Sequence, residues 1–212
     1  MRFDELLWIV GDEPVFETSL LLSGDVDPAD IRRQLSRWTA NGRVLRLRRG
    51  LYALPRPFRK VEAHPFVVAN RLVRPSYVSL QSALAHHGVI PESVPVTTSV
   101  TTGRPGEFST PLGDFVFRHV QLPLFAGFAA TVVGRGQDAF VASAEKALLD
   151  LVYLEPGSDS RAYLDELRLD VDERLDINEL RRCSRQFGPS RVQRAVARLQ
   201  DRAADAARWE SL

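Results

Sequence analysis

Cysteine is nearly absent from this chain of 212 residues, and Cys183 is its single example. One cysteine excludes an internal disulfide and a cysteine cluster for zinc, and it points to a reducing compartment. Cys183 itself is expected to be a small buried hydrophobe. Lysine is almost as scarce, with only Lys60 and Lys146, so arginine carries the positive charge. Long apolar runs are missing too: none approaches the roughly 18 residues of a membrane span, and Asp4 and Glu5 interrupt the start before a leader's apolar run could form. The expectation is a cytoplasmic protein with no membrane partner. Most telling is a local absence of acids. Between Ile31 and Lys60 stand ten basic residues (Arg32, Arg33, Arg37, Arg43, Arg46, Arg48, Arg49, Arg56, Arg59 and Lys60) and neither Asp nor Glu. The rest of the chain holds eighteen of the twenty-eight cations and all twenty-seven acids, so a net charge of +1 conceals a dipolar molecule. A local cationic stripe is what phosphate contacts need.

The residues inside that stripe specify a helix and a hairpin. Asp27 accepts a backbone N–H as N-cap, Pro28 suits the first helical position, and Asp30 opposes the positive end of the helix dipole. At about 100° per residue, Ile31, Leu35 and Trp38 share one side while Arg33, Ser36, Arg37 and Ala40 share the other. Asn41-Gly42 is a left-handed stop. From Arg43 to Arg48 the chain alternates Val44, Arg46 and Arg48 against Leu45 and Leu47, Arg49-Gly50 turns, and Leu51 to Leu54 returns, ended by Pro55. Ahead of this, Phe3 to Val10 reads as a short amphipathic helix ended by Gly11. A second helix is expected from Glu13-Pro14, with Phe16, Leu20 and Leu21 on one face and Gly24 as its stop. Three helices followed by a basic hairpin predict a winged helix-turn-helix. Arg33, Ser36 and Arg37 are then the candidates for the major groove of double-stranded DNA, Arg48 and Arg49 for the backbone or minor groove, with Arg32, Arg43 and Arg46 completing the surface. Trp8 and Trp38 are both assigned to core in preference to stacking on single-stranded bases.

Length and the proline-rich stretch Pro55 to Pro65 predict two domains, residues 1–60 and 61–212, with a boundary near Lys60 and few contacts across it. The second is read as mixed α/β with a helical tail, making the whole chain α+β. Its expected helices are Phe66–Val73, Leu80–His87 with Ser79 as cap and Gly88 as stop, one from Ser143 with Ala144, Ala147, Leu148, Leu151 and Val152 as its apolar stripe, and three more near Arg161–Leu167, Ile177–Phe187 and Ser190–Arg208. Its expected strands are Tyr77-Val78, Val96–Thr101, Phe108–Thr110 and Phe115–His119, with Thr131–Val133 and Phe140-Val141 as added edges.

Four segments carry a resemblance when taken together: QLSRWTANGRVLRLRRGLYALP (Gln34 to Pro55), SYVSLQSALAHHGVIPE (Ser76 to Glu92), SVTTGRP (Ser99 to Pro105) and AEKALLDLVYL (Ala144 to Leu154). In this order they resemble the AbiEi family of antitoxins and transcriptional regulators, over most of the chain. The resemblance implies a winged helix that represses its own operon by binding promoter repeats. It also implies a C-terminal domain that counteracts a nucleotidyltransferase-type toxin, often without a stable complex. The tail after about Asp159 carries none of these motifs, and the resemblance brings no catalytic residue.

Enzymatic readings are weaker. His86 and His87 diverge by about 100° on a helix, and His64 and His119 lack metal-ligand spacing. Gly134-Arg135-Gly136 lacks the flanks of a dinucleotide loop and reads as a turn, so no metal or cofactor is expected. Ser76, Ser79 and Ser82 near these histidines suggest a nucleophile and base, but no Gly-x-Ser-x-Gly elbow is present and a serine at a helix start is more often a cap. Glu145 and Lys146, in the last of the four segments, remain candidates for function, with Glu145 equally a stabilising acid at a helix start. The expectation is a non-enzymatic antitoxin and autorepressor. The alternative is an orphan winged-helix regulator whose C-terminal domain senses a ligand or oligomerises.

Overall fold

The computed structural model describes residues 1–22, 26–92, 94–188 and 191–210, with 172, 173 and 203–210 described by backbone alone. It is an α+β protein with an N-terminal helix and strand unit and a larger unit built on a mixed sheet. Gly24 and Ser190, the expected stop and start of two helices, lie outside the described residues.

The N-terminal unit runs α1 (Phe3–Val10), β1 (Phe16–Glu17), a 3-10 turn (Thr18–Leu21), α2 (Pro28–Ala40), β2 (Leu45–Arg48) and β3 (Leu51–Ala53). Helix α2 begins as its residues dictate: the Asp27 carboxylate accepts the Ala29 N–H at 2.8 Å, with Pro28 in the first turn. It ends through Asn41 and a left-handed Gly42 (φ 68°), and the amides of Arg43 and Val44 both return to the Trp38 carbonyl. Ile31, Leu35 and Trp38 are buried with Leu6, Val10, Phe16, Leu21, Val44 and Leu54 in one cluster.

Two expectations fail here. The segment after Pro14 is not a helix, because Phe16 and Glu17 pair antiparallel with Tyr52 and Leu51 and make a three-stranded sheet in the order β1-β3-β2. Phe16 stacks on Tyr52 with ring centres 5.8 Å apart, so strand pairing and aromatic contact override the helical spacing of Phe16, Leu20 and Leu21. Trp8 is 87% exposed and not core. On an eight-residue helix that buries Leu6 and Val10, a residue two positions past Leu6 points the other way. Gly11, moreover, remains right-handed (φ −62°).

The larger unit follows as α3 (Pro65–Leu72), β4 (Ser76–Val78), α4 (Leu80–His86), β5 (Thr97–Thr101), β6 (Gly106–Thr110), β7 (Gly113–His119), β8 (Phe128–Gly134), β9 (Gln137–Ala142), α5 (Ala144–Leu154), α6 (Arg161–Glu166), α7 (Val171–Arg174), α8 (Ile177–Ser184) and α9 (Arg191–Glu210). Its sheet has the order β6-β7-β5-β4-β9-β8, parallel at β5/β7 and β4/β9 and antiparallel elsewhere. Strand β9, expected as an edge, is interior because it pairs on both sides; β8 is the true edge. Tyr77, Phe115, Phe117 and Leu148 are fully buried in the main core, and the tail helix α9 docks on it through Val192, Ala195, Val196 and Leu199.

The proline-rich connection is held rather than loose. The Gln137 amide donates to the Glu62 carbonyl (2.9 Å) and accepts the His64 N–H (3.1 Å), while Phe58 packs edge-on to Phe3 at 5.0 Å. Val15, Leu47, Leu51 and Ala53 belong to the core of the larger unit, and Arg74 pairs with Glu17 at 3.2 Å. More contacts cross the boundary than its proline content suggested.

Removing Trp38 should cost about 3–5 kcal/mol, whereas Trp8→Ala should stay within about 0.5 kcal/mol of the parent. Thermal or urea unfolding of the two variants checks the assignment; equal losses would contradict it.

Candidate nucleic-acid interface

Burial of Ile31, Leu35 and Trp38 leaves the opposite side of α2 in solvent, and Arg32, Arg33, Ser36 and Arg37 are all exposed there. The hairpin presents Arg43, Arg46 and Arg49 as exposed residues. Leu47, between Arg46 and Arg48, is buried, as period-two alternation requires. The eight predicted residues do not, however, stand in one state. Arg33 forms an ion pair with Asp30 one turn earlier, which partly neutralises it. Arg43 lies over the Phe3 ring, 5.3 Å from its centre. Arg48 is half-buried: its guanidinium donates to the Arg49 carbonyl (3.0 Å) and to the Arg71 carbonyl in the last turn of α3 (3.2 Å), and its buried Nε has no partner among the described residues. A register shift lies between Arg46 and Arg48. No ion pair to Arg32, Arg37, Arg46 or Arg49 is found among the described residues, so these four keep their charge for a partner.

A second cluster lies inside the larger unit, and only part of it was visible in the sequence. Lys146 and Asp150, one turn apart on α5, form a buried ion pair. The other carboxylate oxygen of Asp150 accepts the Tyr77 hydroxyl (2.9 Å) and the Ser79 hydroxyl (2.8 Å). The Lys146 ammonium also sits 4.7 Å from the centre of the Phe187 ring and 5.5 Å from that of Tyr77. Burial pushes the Asp150 carboxyl up and the Lys146 ammonium down, while each partner's charge opposes that trend in the other; burial, then the Asp150 charge, raises Tyr77. The pair is compensated by its own contact, by the two hydroxyls on Asp150 and by the two aromatic rings beside the ammonium, which is what buried charges require. Ser79 directs its hydroxyl at Asp150 and makes no side-chain cap on α4. Beside it the backbone passes through φ 52° at buried Leu80, a conformation that costs a branched residue about 1–2 kcal/mol. Gly127 closes over the lysine stem, where an added Cβ would meet Lys146 Cγ at 3.0 Å.

Other candidates settle into structural places. Ser76 donates to the Val73 carbonyl (2.7 Å) and Ser82 to the Val96 carbonyl (3.2 Å). None of these three serines is hydrogen-bonded to His86 or His87 among the described residues. The Glu145 carboxylate accepts the Asp176 N–H (3.0 Å), tying α5 to the start of α8. Cys183 is half-buried, not fully buried, and its thiol donates to Glu179 at 3.1 Å; burial, then Glu179, pushes that thiol up. Among the described residues no three His, Cys, Asp or Glu side chains are placed to hold a metal ion, and no helix is long and apolar enough to cross a membrane.

Neither a protein-family model nor a curated protein sequence matches the chain. Among solved structures, it resembles the crystal structure of the RV2827C protein from Mycobacterium tuberculosis, with a TM-score of 0.58 and 15% identity, over 93% of this chain and 75% of that one. At that identity the likeness concerns the fold alone.

Two outcomes follow from these clusters. Lys146→Ala should cost about 3–5 kcal/mol by stranding Asp150 in the core, and the paired replacement Lys146→Met with Asp150→Leu should cost less than the single change. Urea unfolding of both variants tests this. Partial burial, then His86, holds His64 below its ordinary value of 6.5, and partial burial, then His87, lowers His86. These imidazoles bind protons less readily in the folded than in the unfolded chain, so stability is complete above that value and falls as pH drops below it. Melting between pH 7 and pH 5.5 should show the loss, reduced in His64→Asn with His86→Gln, where Asn still offers an acceptor to the Phe66 N–H that His64 Nδ1 now takes at 3.2 Å.

Proposed function

We propose that the chain is a DNA-binding antitoxin that represses its own operon through the N-terminal unit and counteracts a nucleotidyltransferase-type toxin through the larger one. The observation that carries the DNA-binding half is the acid-free helix and hairpin whose apolar side is spent on core, leaving Arg32, Arg37, Arg46 and Arg49 exposed without ion pairs among the described residues. The strand order β1-β3-β2, with α2 directly before the hairpin, supports reading this unit as a winged helix whose second helix is reduced to the turn Thr18–Leu21. On that reading α2 enters the major groove with Arg33, Ser36 and Arg37, and Arg49 meets the backbone. Arg48 serves instead as a brace between wing and α3. The antitoxin half rests on the resemblance of the four segments to the AbiEi family. A second reading, a winged-helix regulator that senses a ligand, is favoured by a cleft of about 680 Å³ at the junction, lined by Arg56, Arg59, His64, Arg135 and Gln137.

Each phosphate contact contributes about 0.9 to the slope of log K against log salt, and losing a good base contact costs roughly 1–3 kcal/mol at one position. Arg49→Ala should therefore weaken all duplexes alike and flatten the salt dependence, while Arg37→Ala should lower the preference for the protein's own promoter over random duplex. Titrations at two salt concentrations decide, and absence of promoter binding by the parent would refute the DNA-binding half. The other half is tested with the full chain under a foreign promoter, because the shared core makes fragments unsafe. Arg37→Ala with Arg49→Ala should lose promoter repression yet still rescue growth when the neighbouring toxin gene is expressed. If the soluble parent gives no rescue, the regulator reading replaces the antitoxin.

A further inference from the structure

We infer that the cleft at the junction of the two units binds a small phosphate monoester, held by Arg56 and Arg59 of the proline-rich connection and by Arg135 of the β8–β9 turn. This site rests on the ligand-sensing reading and gives it a chemical class of ligand. At about 680 Å³ the cleft has the size of a small-molecule site, and a junction between units is a common place for one. Charge selects the ligand. Three guanidiniums line the cleft against one carboxylate, that of Glu62, an excess of two positive charges. Burial, then His86, holds the His64 imidazole below its ordinary value, so it is neutral near pH 7 and adds no charge. A phosphate monoester carries about −1.5 to −2 at neutral pH and matches that excess, whereas a carboxylate leaves half of it unmet. His64 supplies a neutral donor beside it. Its Nδ1 accepts the Phe66 N–H, which puts the ring proton on Nε2, and no acceptor for that proton is found among the described residues. Leu45, Pro55, Pro65 and Pro111 add an apolar, stiff surface for the body of the ester.

The cleft is held ready without a ligand. The Gln137 side chain clasps the Glu62 carbonyl and the His64 N–H, so the turn that carries Arg135 is fastened to the segment that carries Arg59. Arg59, its side chain only 17% exposed, and Arg56 both lean on the Glu62 carboxylate, at 2.6 and 3.8 Å, and that carboxylate is half in solvent. Glu62 thereby stands where a phosphate would, and its exposure lets it yield. Arg135, in turn, is costly where it stands. Gly134 pairs with Gln137, and the two residues between them, Arg135 (φ 49°) and Gly136 (φ 71°), are both left-handed, as a tight hairpin turn requires; asparagine or glycine is the ordinary choice at the first of these positions. An arginine there adds strain that glycine avoids, and no ion pair to it is found among the described residues, so the fold draws nothing from its charge.

The test titrates the full purified chain, without DNA, with ribose 5-phosphate, adenosine monophosphate, inorganic phosphate and acetate by calorimetry near pH 7. At least one of the two esters should saturate a single site, with inorganic phosphate weaker and acetate weaker by about tenfold or more. Arg135→Gly, which relieves the turn, should melt no lower than the parent yet bind the ester about tenfold or more weakly, the loss of one charge-assisted contact. Glu62→Gln, which frees both arginines and keeps the backbone carbonyl that Gln137 holds, should bind the ester more tightly; a merely structural cluster would give no gain. The site is overturned if neither ester binds saturably below about 1 mM, if acetate binds as well, or if Arg135→Gly binds like the parent. Duplex DNA is the other source of phosphate: if no ester binds and Arg135→Gly weakens duplex binding instead, the guanidinium belongs to a DNA interface and the site is equally overturned. The ligand-sensing reading fails separately, when a bound ester leaves the affinity for promoter DNA unchanged.

Discussion

The hairpin β2–β3, with its flanking residues Val44 and Leu54, packs into both cores, and the rest of the molecule is arranged around that constraint. Val44 and Leu54 close the N-terminal core, while Leu47, Leu51 and Ala53 belong to the core of the larger unit. A two-stranded hairpin has little stability alone in water, so it gains order from both sides and in turn couples them. Its cationic residues are left only the rim and the tip. Arg48 shows the consequence: it is half-buried and donates to the Arg71 carbonyl at the end of α3 and to the Arg49 carbonyl, and Arg49 keeps the exposed position. The hairpin is therefore braced from behind by the larger unit.

Charge follows the same division of labour. On the surface, Arg32, Arg37, Arg46 and Arg49 carry their charge without an ion pair among the described residues. In the interior, the one lysine of the larger unit is neutralised by Asp150 and enclosed by aromatic rings. Asp150 draws its hydrogen bonds from β4 and from the start of α4, so the pair fastens α5 to the strand and turn beneath it. Breaking one partner would leave a charge in low dielectric, whereas removing both leaves only a packing problem.

Much of the cationic site was legible before any coordinates. Asp27, Pro28, Asn41 and Gly42 mark the ends of α2 by local chemistry, and the spacing of Ile31, Leu35 and Trp38 assigns its inner face; both depend on residues within a few positions of each other. The apolar stripe of α5 and the ends of β5 at Thr101 and β7 at His119 were legible for the same reason, although β7 begins at Gly113, two residues before Phe115. Other features were not. The helical spacing of Phe16, Leu20 and Leu21 was real, but Tyr52, more than thirty positions away, offered Phe16 a strand partner. Trp8 has the composition of a core residue and the wrong angle on a short helix.

What the sequence determined by itself, then, is what local forces decide: where α2 begins and stops, which side of it is apolar, that no internal disulfide forms, and that thirty residues carry ten cations and no acid. Tertiary structure alone decided which strands lie at the edge, that Arg48 faces inward, that Ser79 serves Asp150 in place of its own helix, and that Gln137 clasps the connection between units. Each of those depends on a partner distant in the chain, and periodicity records the angle at which a side chain leaves the backbone, not what will be waiting there.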